Sequence, residues 1–128
     1  MSDYTKKNLM EIENAVPGGG SDVEARFART HLNSEHLGVS LFRVAPNYRM
    51  PMGHRHREQE EAYVIVEGSG RMRLDDEIID LTQWDVVRVA PAVARGFEGG
   101  PDGLAYIAVG NDRPEGGDGE RIPDFWTD

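Results

Sequence analysis

Two histidines stand two residues apart in the run Gly53-His54-Arg55-His56, and an acidic cluster follows at once with Glu58, Glu60 and Glu61. The spacing is what could do chemistry. Side chains of a β-strand alternate between its faces, so residues i and i+2 share one. If 53–56 is a strand, both imidazoles project to the same side and can share one cation. Glu61, with Glu60 as the alternative, can return to that point at the start of the next strand. Two neutral ring nitrogens and a carboxylate form a donor set for divalent metals, and the same set occurs in sites that leave positions open for water or substrate. Donor type alone does not separate Fe, Zn, Mn and Ni. The chain has no cysteine, so thiolate sites, thiol nucleophiles and disulfides are excluded together.

Other chemical readings are weaker. His31 and His36 flank a polar turn and read as surface residues. Ser69, between Gly68 and Gly70, reads as a hairpin turn with no base placed to activate it. Gly18-Gly19-Gly20 lacks the strand and helix that a phosphate loop requires.

The elements that must position the histidines are read from punctuation. Fifteen glycines and seven prolines separate short alternating or apolar runs, the pattern of an all-β sandwich or barrel. Residues 1–16 are polar and read as a short helix or a loose arm, and 17–21 as a linker or wide turn. Residues 23–30 alternate Val23, Ala25 and Phe27 against polar neighbours, and 38–45 read as a second strand. Pro51 and Gly53 introduce the histidine pair. The β-branched run 62–67 predicts a buried strand ended by Gly68-Ser69-Gly70, after which 71–74 returns. Asp75-Asp76-Glu77 is a tight turn before 78–81. Residues 86–89 form another strand, and Gly99–Gly103 turns into the apolar run 104–109. The organisation expected is an N-terminal arm over 1–22, a barrel of about eight strands over 23–110, and a Gly- and Asp-rich tail over 111–128. No internal repeat is visible.

The stretch from Gly53 to Gly70 resembles the first motif of the cupin superfamily: His-x-His, four residues, Glu, six residues, Gly, matched by His54, His56, Glu61 and Gly68. The second motif of that family runs Gly-Asp, a short strand, then Pro-x-Gly-x-x-His. Here it is degenerate: Trp84 stands for the first Gly, Ala90 for Pro, Ala92 for the second Gly, and Arg95 where the family places its third metal-binding histidine. The chain is similar to a small single-domain cupin, and the resemblance spans residues 38 to 110. It implies an all-β fold, a single double-stranded β-helix (jelly-roll) barrel, commonly dimeric. It implies a divalent metal at His54, His56 and Glu61, and a metal-dependent enzyme, an oxygenase or isomerase for example, acting on a small polar or anionic molecule. The other reading is a non-catalytic, metal-free barrel that binds or senses a ligand.

Arg95 changes the electrostatics. A guanidinium about 4 Å from a unit positive charge costs about 4 kcal/mol at an effective dielectric near 20, and about twice that beside a divalent ion. It could swing out to solvent or pair with Glu60 or Glu61. It could also read a carboxylate or phosphate on a substrate. If Glu61 faces inward, Tyr63 and Ile65 share its face, and Tyr63 joins Arg95 in the set of substrate-binding candidates. Arg43, Arg71, Arg73 and Arg88 read mostly as solvent-exposed.

The formal charge of −9, from 14 bases against 23 acids, argues against nucleic acid and against anionic membrane surfaces. The N-terminus has no apolar signal region and no run approaches the length of a membrane span, so the expected location is the cytoplasm. Trp84, Tyr63, Tyr106 and Phe97 are expected in the core or pocket wall. Met50 and Met52 should line the pocket mouth. Phe125-Trp126, unusual on a water-facing terminus, should pack on the barrel or across a dimer.

Overall fold

Alternating β-branched and aromatic residues place the chain in eight strands: β1 (Val23–Phe27), β2 (Gly38–Val44), β3 (Gly53–His56), β4 (Glu61–Leu74), β5 (Glu77–Thr82), β6 (Val86–Val89), β7 (Arg95–Gly110) and β8 (Gly119–Ile122). The computed structural model describes residues 3–16 and 20–128. The linker expected over 17–21 and the first two glycines of Gly18-Gly19-Gly20 fall largely or wholly outside them.

Every named strand pairing is antiparallel. The long strands β4 and β7 run beside each other and form the spine. One half of the spine carries β2 and β1 beside β7 and β6 beside β4. The other half carries β5 beside β4, and β3, with β8 behind it, beside β7. The curled sheet is a jelly-roll β-barrel.

The core follows from the alternation. Tyr63 and Ile65 of β4 face inward opposite Ala108 and Tyr106 of β7, and Met72 packs opposite Phe97. Phe97 and Tyr106 stack at 4.1 Å between ring centres, and Tyr63 stands edge-on to both at 5.0 and 5.7 Å. Such offset and edge-to-face pairs hold rings in fixed orientation, which makes this end of the barrel a rigid platform.

Three sequence expectations are corrected here. Gly68-Ser69-Gly70 does not end a strand, and Gly99–Gly103 is not a turn between strands; both lie within β4 and β7. The register shifts by bulges on either side of Gly68. Gly68 and Gly103 both take positive φ, +73° and +83°, and a Cβ at Gly68 would sit 2.1 Å from the Gly103 carbonyl oxygen. Glycine therefore lets two strands bend together, carrying each from one half of the barrel to the other without breaking the ladder. Ser69 accordingly sits in a strand rather than at a hairpin tip. Trp84 is the third correction. It lies in the turn between β5 and β6 with φ of +74° and is 69% exposed. A left-handed backbone explains why glycine is usual at that motif position, and the turn points the indole outward instead of into the core.

Both termini dock. The N-terminal arm forms a 3-10 turn at Leu9–Glu11, buries Ile12 and bonds to β1 through Ala15 N–H to the Ala25 carbonyl at 2.8 Å. At the other end Phe125 is buried against the bare backbones of Gly53 and Gly96, where added Cβ atoms would come within 2.5 and 2.8 Å of its ring. Arg73, far less exposed than its sequence context suggests, lies over that ring at 4.7 Å. The Trp126 indole donates to the Met50 carbonyl at 2.9 Å, and Arg49 covers it at 4.3 Å. The aromatic tail thus packs on the barrel directly behind the histidine strand. Phe125→Ala should lower unfolding stability by about 3 kcal/mol in a urea titration, the cost of an aromatic-sized void in a packed site; an unchanged midpoint would show that the tail contributes nothing to the barrel.

Candidate metal centre

β3 supplies the two histidines, and the residue spacing does what the strand period requires. The imidazole rings stand edge to face, perpendicular to each other with centres 5.1 Å apart, and both reach the first residue of β4. Glu61 Oε1 is 3.5 Å from His54 Nε2 and 3.2 Å from His56 Nε2. One donor atom from each of the three residues lies within 4.8 Å of the others, so the group could hold a divalent ion. Glu60 points the other way: it is exposed and pairs with Arg88 at 2.7 Å.

The third side of this group is Arg95, which the antiparallel register places directly across from His54. It does not swing into solvent. Its side chain is fully buried, with Nη1 donating to the Pro91 carbonyl at 3.2 Å and Nη2 lying 3.7 Å from Glu61 Oε1. Among the described residues, Nε and Nη2 have no hydrogen-bond partner. Of the two paths open to it in the sequence, the guanidinium takes the one toward Glu61.

Glu61 is the hub of the cluster. Tyr63, two residues along the same face, donates its hydroxyl to Oε1. Burial pushes the Glu61 carboxyl up, but the two imidazoles and the phenol outweigh it and hold the group well below the usual carboxylate range. The adjacent Glu61 raises His56 above its ordinary value; burial opposes this and Asp118 adds to it. Burial raises Tyr63 far above its usual value, so it stays a neutral donor.

Asp118 is the part of this cluster that sequence reading missed. Its side chain is fully buried. Oδ2 accepts the backbone N–H groups of Arg57, Glu58 and Gln59 at 3.1, 2.7 and 2.9 Å, and Oδ1 lies 2.9 Å from His56 Nδ1. Burial pushes this carboxyl up, and the backbone donors together with His56 bring it well below its ordinary value. A carboxylate can only accept, so Nδ1 must carry the proton, which leaves the lone pair of neutral His56 on Nε2. That nitrogen is buried, and although Glu61 is near, no partner lies in line for a hydrogen bond. An imidazole oriented by a carboxylate with its second nitrogen unpartnered is the arrangement that suits a metal ligand. The donor set therefore fits a divalent ion. Asp118 sits among glycines just before β8, and the only local hint of that strand is the short alternation of 119–122.

Two cavities meet at the cluster. His54 and Glu61 line both an inner chamber of about 120 Å³ and an outer cavity of about 470 Å³. Met50, Met52, Tyr63 and Arg95 line the inner one. His31 and His36, by contrast, are surface residues paired with Glu13 and Asp112.

No family model and no curated protein matches this sequence. Solved structures do. A cupin protein from Bacteroides fragilis superposes with a TM-score of 0.72 at 23% identity, covering 89% of this chain and 88% of its own. The polyketide cyclase RemF from Streptomyces resistomycificus gives 0.74 at 19% identity over 97% and 87% of the two chains. The chain has the cupin fold. A sugar phosphate isomerase of the cupin superfamily from Silicibacter pomeroyi is also similar, at 0.71 and 18% identity over 86% and 77%. Cupin folds serve many chemistries, so the fold fixes where a pocket lies and leaves its use to the side chains. No helix of the described residues is long and apolar enough to cross a membrane.

Proposed function

We propose that this cupin holds one divalent metal on His54 Nε2, His56 Nε2 and Glu61 and acts on a small anionic molecule bound in the inner chamber. The observation that carries the reading is His56: a buried imidazole oriented by Asp118 whose other nitrogen meets no hydrogen-bond partner. A bound metal would supply Lewis-acid polarisation or oxygen activation. The chain's own residues do the rest. Arg95 presents unpartnered Nε and Nη2 beside the chamber, a fork suited to a carboxylate or phosphate. Tyr63 walls the chamber and orients Glu61 through its hydroxyl. Met50, Met52, Phe97 and Tyr106 exclude water from the bound anion.

One observation favours a second reading. The buried guanidinium of Arg95 stands 3.7 Å from Glu61 and neutralises it without a metal, so the pocket could serve as a metal-free binding or sensing site. Elemental analysis separates the two. About one divalent ion per chain is expected after dialysis against metal-supplemented buffer, falling to background in the His54→Ala, His56→Ala double variant. Metal content unchanged by the double substitution would defeat the first reading. Because a ligand imidazole must be neutral and His56 is raised in the metal-free protein, retention should weaken as pH falls through that raised value and level off above it.

In this reading the protein works in the cytoplasm as a homodimer. What supports the dimer is apolar surface on the β5–β6 turn and β6, where Trp84 and Val86 are 69% and 66% exposed.

A further inference from the structure

The outer cavity carries a charge pattern opposite to that of the whole chain. Acids outnumber bases 23 to 14 in the sequence, yet the wall of this cavity presents two arginines, Arg29 and Arg113, and its sole carboxylate is Glu61, shared with the inner chamber. Arg29 is held in place. Its Nη2 donates to the Asn111 carbonyl at 2.9 Å, and its guanidinium lies across the bare backbone of Gly38, where a Cβ would come within 2.7 Å of Nη2. The rest of its donor fork is uncommitted, and no carboxylate pairs with it among the described residues. Arg113 is exposed and has neither a hydrogen bond nor an ion pair among the described residues. Two guanidiniums left unneutralised on one wall of a −9 chain form a local anion trap.

The cavity that holds these arginines and the histidines also has aromatic lining. Phe27, the last residue of β1, is 49% exposed and stands edge-on to Phe42 at 5.7 Å, and Phe42 stacks on Tyr106 at 5.1 Å. Phe27 and Phe42 both line the outer cavity. Phe27 and Phe42 stand at 83° to each other and form an apolar corner, which takes a planar ring with its face on one and its edge on the other. The volume, about 470 Å³, suits a small organic molecule.

From this arrangement we infer that the outer cavity binds a planar aromatic compound with an acidic group at each end. One acid is read by Arg29 and Arg113, the ring packs into the corner of Phe27 and Phe42, and the second acid reaches the His54, His56, Glu61 and Arg95 cluster. The inner end rests on the proposed function above; the outer end stands on its own residues.

The test uses three diacids of increasing length: terephthalate, 4-carboxyphenylacetate and 4-carboxycinnamate. Each is titrated calorimetrically at low ionic strength into the full chain, as purified and after metal loading. At least one should bind, and Arg29→Gln with Arg113→Gln should weaken the tightest by about tenfold or more. Arg113→Gln alone, at an exposed and unpaired position, should weaken it by about threefold or more with the unfolding midpoint unchanged, which guards against a folding artefact. Phe27→Ser should weaken the aromatic diacid but leave the aliphatic diacid adipate unaffected. Binding by none of the three, or equal binding by the arginine variants, overturns the inference. If the arginine effect appears in a protein that takes up no metal, the metal reading fails and the outer subsite stands; if metal binds and the arginine variants bind as wild type, the reverse holds.

Discussion

Arg95→His should raise affinity for a divalent metal by about a hundredfold or more, which is about 3 kcal/mol. The register puts residue 95 across from His54, so an imidazole there projects toward the same point as the two histidines of β3. The substitution acts twice. It supplies a third nitrogen donor, and it removes a buried cation whose Nη2 is 3.7 Å from Glu61, the carboxylate any metal must share. At about 4 Å and an effective dielectric near 20, repulsion between a guanidinium and a divalent ion is about 8 kcal/mol before Glu61 offsets part of it. Arg95→Met separates the contributions by removing the charge without adding a donor, and about a tenfold gain is expected from that change alone. Competition against a chromophoric chelator reads both. If neither variant binds metal more tightly than the natural chain, the guanidinium does not face the cation, and the reading of residue 95 as the electrostatic control of the site is wrong.

Substitutions at Asp118 should cost stability and weaken the hold on metal, in proportions that depend on the replacement. Asp118→Ala strips acceptors from three backbone N–H groups and from His56 Nδ1 in a spot closed to water. Leaving buried donors unsatisfied costs their desolvation, so a loss of about 3 kcal/mol or more in urea unfolding is expected. Asp118→Asn is the more telling variant. Its oxygen can keep the backbone N–H groups, but its amide then faces His56 Nδ1 with a donor. The imidazole must answer by moving its proton to Nε2, the atom a metal needs. The barrel should remain folded while metal affinity falls about ten- to a hundredfold. A folded Asp118→Asn protein that holds metal as well as the natural chain would show that Asp118 braces the loop and does not set the tautomer. The acid limb carries the same signature. Asp118 sits below its ordinary value in the folded chain, so its contribution is complete above the unfolded value near 4 and declines as pH falls below it. The alanine variant should lack that part of the acid dependence.

How much of this was legible in the sequence varies with the distance between the residues involved. His54, His56 and Glu61 were legible because they lie within one short stretch and because a strand's side-chain period is a property of covalent geometry. The preference for Glu61 over Glu60 rested on one residue of register, and the exposed pairing of Glu60 with Arg88 agrees with it. The inward face of Tyr63 and Ile65 followed from the same period. Phe27 marks where that logic ends: it shares a face with buried Ala25, but it stands at the outer cavity and stays about half exposed there. Glycine punctuation misled for a related reason. Gly68 and Gly103 mark sharp backbone bends, which sequence can locate, yet a bend becomes a turn or a bulge according to the strand beside it.

Arg95 shows the boundary most clearly. Motif spacing put it at the position of a metal-binding histidine, but its sequence left solvent, Glu60 and Glu61 all open to a long flexible side chain. Packing decided, by closing the outward path and leaving the guanidinium between the Pro91 carbonyl and Glu61. Asp118, Arg29 and Arg113 were not assignable at all. Asp118 reaches β3 from about 60 residues away through the β3–β8 pairing, and Arg29 and Arg113 meet only because the loop after β1 and the segment after β7 border one cavity. By itself the sequence determined most of the strands, the all-β class and the shared face of the two histidines, because alternation and turn chemistry act over a few neighbouring residues. Which carboxylate orients His56, where Arg95 points and what lines the approach to the pocket were decided only by tertiary structure, because those contacts exist once distant strands have paired and water has been excluded between them.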